Sequence, residues 1–126
     1  MPVTSAELVA AAHAAVPRIS GAEAVELAKN PDVVILDVRE AVEVQATGKA
    51  KGALTIPRGS LEFRADPTSP NHDLPLSQAR TVIVHCAAGA RAALAGKLLK
   101  DMGCSDVRNL GGFNEWVAAG GAVEKV

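Results

Sequence analysis

The stretch TVIVHCAAGARAALAGKLL, residues 81–99, places the chain's most nucleophilic residue type in a setting that can use it. Cys86 ends an apolar run and is followed by Ala87, Ala88, Gly89 and Ala90, which carry almost nothing beyond the backbone, and then by Arg91. With so little side chain in the way, the amide N–H groups of that loop can converge on one point. The helix that begins beyond them adds its own unsatisfied amides and positive dipole end. A thiol at the rim of such a nest is favoured as the thiolate, the form that acts as a nucleophile. Arg91, a permanent charge at the far end of the loop, is placed to stabilise either that thiolate or an incoming anion. A buried structural cysteine is common, but that reading accounts for Cys86 alone and not for the small residues and the arginine after it.

The elements around this loop follow from pattern. TVIVHC, 81–86, and VVILDV, 33–38, are continuous β-branched runs of the kind found in strands covered on both faces, and ALTI, 53–56, and DVRNL, 106–110, add two more strands. Residues 5–15 predict a helix capped by Ser5 and stopped by Pro17, an extension of residues 1–17 ahead of a domain spanning 18–126. A second helix follows Ser20, with Ala24, Leu27 and Ala28 on one face, and ends at the Asn30-Pro31-Asp32 turn. The Ala-rich segment from Ala90 to Met102 predicts a helix buried through Leu94, Leu98 and Leu99, and FNEWVAAG a last one stopped by Gly120-Gly121. Strands alternating with helices give an α/β domain with a mostly parallel central sheet and helices on both faces. Ligands in such sheets bind at the carboxyl ends of the strands, where Asp37-Val38-Arg39 and His85-Cys86 both fall. The Pro-, Ser- and Asp-rich segment 64–78 reads as one long loop over the same edge.

Composition narrows the function classes. A net charge of −1 excludes a general polyanion binder, so nucleic acid is not expected as a partner and any anion recognition is local. The apolar runs fall short of the roughly 20 residues of a bilayer span. The first residues also lack a basic region followed by an apolar stretch, which predicts a cytoplasmic protein without a membrane anchor. Cys86 and Cys104 show no metal-knuckle or disulfide spacing, so no metal is expected and a reducing compartment fits.

Taken together, four ordered segments resemble the rhodanese (sulfurtransferase) superfamily. CAAGARA resembles its Cys-x-x-Gly-x-Arg active-site loop, LDVRE (36–40) the motif that ends an early central strand, GALTIPRGSLEF (52–63) its Gly-Ala-x-x-Ile-Pro segment, and NLGGFNEWVAAGGAVEK (109–125) its Leu-x-Gly-Gly-x-x-x-Trp-x-x-Ala-Gly signature. The resemblance implies a double displacement without metal or organic cofactor. Cys86 takes the outer sulfur of a donor such as thiosulfate or a persulfide, the amides of Ala87, Ala88, Gly89 and Ala90 hold that sulfur, and cyanide or a thiol, including a protein thiol, removes it.

Supporting roles are expected of other residues. Asp37 and Arg39 point the same way from an extended segment and tie the strand end to its neighbours. Arg58 and Glu62, at i and i+4, form either a surface pair or, if their helix borders the pocket, an anion-binding site through Arg58. With Arg91 the only cation of the loop, Arg39, Arg58 and Arg64 are the further candidates for holding a charged donor. His85 is read as a strand-end residue, Trp116 as a core anchor and Cys104 as packing. Lys49 and Lys51 stand where the family has Gly-His-Ile-x-Gly-Ala, as solvated charge or as a lure for an anion. Cysteine-dependent phosphatases and arsenate reductases also place an Arg after a His-Cys pair, but with five residues between Cys and Arg; here there are four. The tighter loop suits one sulfur atom better than a tetrahedral oxyanion. A sulfur-binding module with little turnover is the third reading.

Overall fold

The computed structural model describes residues 1–126 and runs, in chain order, α1 (Ser5–Ala15), α2 (Gly21–Leu27), β1 (Val33–Asp37), α3 (Ala41–Thr47), β2 (Lys49–Ala50), β3 (Leu54–Thr55), a 3-10 turn at Arg58–Ser60, α4 (Leu61–Ala65), α5 (Leu74–Ser77), β4 (Thr81–Cys86), α6 (Ala90–Asp101), β5 (Asp106–Gly112), α7 (Phe113–Ala118) and β6 (Val123–Glu124). Four strands form a parallel sheet in the order β3-β1-β4-β5, as the alternating pattern predicts. The central strands β1 and β4 are buried on both faces, which is why their sequences are continuous apolar runs.

Helices cover both faces. On one, α6 and α1 pack with Leu61 and Leu76 over Leu36, Val82, Val84 and Cys86. On the other, α2 and α7 place Ala24, Phe113 and Trp116 against Ile35, Ile83 and Leu110. The sheet therefore splits β4 by period: Cys86 faces α6, and His85 faces Phe113.

Several expectations are corrected. Thr4, not Ser5, caps α1 by accepting the Glu7 N–H. α1 lies against α6, with Ala12 and Val16 fully or nearly buried. Leu94 and Leu98 are only half-buried. The inner face of α6 is instead Ala92, Ala93, Ala95, Gly96 and Leu99, because Val16 sits so close to Gly96 that larger residues have no room. Helix α3 was not legible as an element at all, and β2 pairs antiparallel with β6 in a small second sheet. Segment 64–78 is not a single loop: it contains α5, and its residues Ala65, Pro67, Leu76 and Ser77 line a cleft of about 250 Å³ with Val82, Leu99 and Cys104. That cleft lies toward the amino end of β4, away from the carboxyl edge. No helix is long and apolar enough to cross a membrane.

Candidate active site

Cys86 is the last residue of β4 and is 1% exposed. The chain leaves the strand at Ala87 and enters α6 at Ala90, with Gly89 as the helix N-cap at φ +115°, a conformation L side chains rarely adopt. That turn aims the Gly89 N–H at the Cys86 Sγ, 3.0 Å away, and the Ala92 N–H approaches the same sulfur at 3.4 Å. The convergence expected of the Ala87–Ala90 amides is found at Gly89 and at Ala92, two residues beyond that set. Ala87, Ala88 and Ala90 stay exposed around it.

The neighbouring strand leaves room for this loop. Between Val84 and His85 the β4–β5 register shifts by one residue, which brings Gly111 and Gly112 alongside His85 and Cys86. A methyl group on Gly112 would collide with the Ala87 carbonyl.

Arg91 does not contact the sulfur. Its Nη1 and Nη2 donate to the two carboxylate oxygens of Glu43 on α3, at 2.6 and 2.9 Å. This bidentate clamp, joined by the Glu40 backbone N–H, pulls the Glu43 pKa down to about 2. Glu43 is the site residue that sequence reasoning missed, since it lies on the helix that was not recognised. Its only signal was Glu40-Ala-Val-Glu43, which forms a capping box.

Asp37 and Arg39, expected to point the same way and tie the strand end to its neighbours, are bonded to each other. Arg39 Nε and Nη2 donate to the Asp37 carboxylate at 3.0 and 2.8 Å, while Nη1 and Nη2 reach the Thr47 hydroxyl and the Gly48 carbonyl. The guanidinium stacks 4.5 Å from the Phe113 ring centre and is 3% exposed. Arg39 is thereby removed as a candidate for holding a donor: its N–H groups are spent on the protein and no solute reaches it. His85 is wholly buried, with Nδ1 3.3 Å from the Cys86 carbonyl and Nε2 3.7 Å from Asp37. Burial pushes its pKa down against the opposing pull of Asp37, so it sits as a neutral imidazole on the face of the sheet opposite the thiol.

Arg58 and Glu62 form the expected i,i+4 pair at 3.1 Å, half-exposed on the turn after β3. Arg64 pairs with Asp73 and Lys49 with Glu124, so neither is a free charge. Trp116 is buried and donates its indole N–H to the Ala122 carbonyl at 2.8 Å. Cys104 borders the cleft beside Val82, roughly 13 Å of strand from Cys86 at about 3.3 Å per residue. Its thiol is pushed up in pKa by burial, and it packs rather than meeting the other cysteine.

Strand, glycine-capped loop and helix N-terminus thus present a thiol met by two amides, at the place where open α/β sheets take their ligands. A sequence model of the Rhodanese-like domain matches residues 20–119, and the chain belongs to that family. No curated protein matches the chain. Among solved structures it is similar to a Rhodopseudomonas palustris CGA009 protein described as of unknown function and a possible tyrosine phosphatase, at 35% identity over 98% of this chain and 96% of that one, with a TM-score of 0.89. It is also similar to the rhodanese-like domain of Anabaena sp. Alr3790, at 26% identity over 87% and 80% of the two chains and a TM-score of 0.71. Likeness extends to the human single-domain sulfurtransferase TSTD1, at 26% identity over 82% and 96% with a TM-score of 0.65.

Proposed function

We propose that the protein is a sulfurtransferase that carries sulfane sulfur as a persulfide on Cys86. The observation that carries this reading is the pair of amides, from Gly89 and Ala92, directed at the Cys86 sulfur. Donors placed this way stabilise a thiolate before reaction and an anionic terminal sulfur after it. In the first half-reaction the thiolate attacks the outer sulfur of thiosulfate, the S–S bond breaks, and the electron pair leaves with sulfite. In the second, an acceptor such as cyanide or a thiolate attacks the terminal sulfur and returns Cys86 as thiolate. His85, on the far face of the sheet from the thiol, takes part in neither half-reaction.

A phosphatase reading is favoured by the description of the R. palustris neighbour. Against it stand the four-residue spacing and the engagement of both Arg91 Nη atoms by Glu43, since phosphate recognition needs an arginine fork that is free to grip oxygens.

Incubation with thiosulfate followed by intact-mass measurement tests the proposal. The expected result is the gain of one sulfur atom, lost on adding cyanide with release of thiocyanate, and no gain in Cys86→Ser. An unmodified mass with thiosulfate and with a persulfide donor overturns it. Cys86-dependent hydrolysis of an aryl phosphate would favour the phosphatase, and a stable adduct that no acceptor discharges would favour a sensor.

A further inference from the structure

Arg18 lies just ahead of the stretch that matches the family model, yet it reaches the catalytic loop. Backbone pairing puts it there: the Ile19 N–H donates to the Asn109 carbonyl and the Asn109 N–H to the Pro17 carbonyl, so residues 17–19 line the outer edge of β5. The side chain then lies along Gly111, where any methyl group would collide with the guanidinium. On its other flank, a methyl on Gly89 would lie 4.0 Å from Arg18 Nη1. Gly89 is the residue whose N–H meets the Cys86 sulfur at 3.0 Å, so this cation lies beside the residue that donates to the thiol.

Arg18 differs from the other cations in where it stands and in what its N–H groups are doing. Arg91 is held by both oxygens of Glu43 and Arg39 is buried, while Arg58, which like Arg18 makes a single side-chain bond, to Glu62, stands on the turn after β3. Arg18 is 47% exposed and makes one side-chain hydrogen bond, from Nη2 to Glu115 Oε1 at 2.6 Å. Nε and Nη1 are uncommitted, and Nη1 is the nitrogen nearer Gly89.

We propose that Arg18 is the specificity-determining cation of this site, holding the oxygens of the anionic, departing part of the sulfur donor while Cys86 takes the outer sulfur. The inference rests on the sulfur-transfer reading. In the step it serves, the new Cys86 S–S bond forms as the donor's S–S bond breaks. Sulfite leaves with the electron pair, and Arg18 is paired with the oxygens on which that charge resides. Glu115 sets its orientation and moderates its charge.

The test is equilibrium binding of sodium thiosulfate to Cys86→Ser, which cannot turn over, followed at low ionic strength by calorimetry and by the amide signals of Gly89 and Gly111. Adding Arg18→Gln is expected to weaken binding about tenfold, Arg18→Lys by less, and Glu115→Gln to tighten it several-fold. Because the 17–19 pairing uses only backbone groups, these variants are expected to keep the fold, with unchanged dispersion of the amide spectrum as the check. Affinity indifferent to Arg18→Gln, or no thiosulfate binding by Cys86→Ser, overturns the inference. Sulfur loading of wild-type Cys86 alongside Arg18-independent binding would remove this inference alone. Arg18-dependent binding without loading from any donor would remove the transfer reading and, with it, the donor role given to Arg18.

Discussion

At the scale of single residues, the charge that sequence reasoning assigned to the thiol is divided. Arg91 is the arginine of the Cys-x-x-Gly-x-Arg pattern, but both its Nη atoms are bonded to Glu43, and the hydrogen bonds to the sulfur come from backbone amides. Removing the carboxylate alone should therefore restore one positive charge beside the loop. For a charge several ångströms away in a wet site this amounts to roughly 0.6 kcal/mol, so Glu43→Gln is expected to lower KM for thiosulfate about threefold. The same variant has a pH signature. Glu43 ionises near pH 2 in the folded chain against an ordinary 4.5, so its carboxylate contributes stability that is complete above pH 4.5 and lost as pH falls toward 2. Thermal midpoints of wild type and Glu43→Gln, measured across that range, should differ by a constant amount above pH 4.5 and converge below it. Parallel curves down to pH 2 would show that the clamp does not hold Glu43 in its charged form.

At the scale of elements, the loop works because Gly89 takes a left-handed conformation that both caps α6 and turns its N–H onto the sulfur. Space is not the constraint there, since a methyl would meet the Gly111 Cα at an ordinary 3.6 Å. The backbone is: an L residue at this φ costs about 1–2 kcal/mol. Gly89→Ala should lower stability by that amount in urea unfolding. If relaxing φ swings the N–H off the sulfur, it should also slow sulfur loading in an intact-mass time course by more than tenfold. Full loading speed with the stability loss intact would detach the amide from the chemistry. The nest was legible because small residues, strand end and helix start are neighbours in sequence. Glu43 and Arg18 were not, because each meets the loop only through tertiary packing, Glu43 48 residues from Arg91 and Arg18 through the edge of β5. The short helix α3 also escaped notice because Val42 on it is exposed and only Val44 is buried, which leaves no apolar stripe to detect. The inner face of α6 is not legible for a related reason: hydropathy selects leucines, whereas the close approach of Val16 to Gly96 selects alanine and glycine.

At the scale of the whole molecule, the site depends on fixing the end of β1, from which α3 and Glu43 depart, relative to the end of β4, which carries Cys86. The device is the buried pair of Asp37 and Arg39, with Asp37 beside His85 in the parallel register of β1 and β4 and Arg39 bonded to Thr47 and Gly48 at the far end of α3. A buried pair of this kind is not worth much against an apolar replacement, but leaving one member alone is costly, about 3–5 kcal/mol. Asp37→Asn would strand the Arg39 guanidinium, 3% exposed and otherwise partnered by neutral groups and the Phe113 ring. Arg39→Met would strand the buried carboxylate without its guanidinium partner. Each single variant should therefore lose several kcal/mol in urea unfolding. The double variant should lose clearly less than their sum, because the second substitution removes the charge that the first left uncompensated. Strict additivity would mean that the two groups are stabilised independently, Arg39 by its ring and carbonyl contacts and Asp37 by backbone N–H. The strand end would then be fixed by the sheet alone.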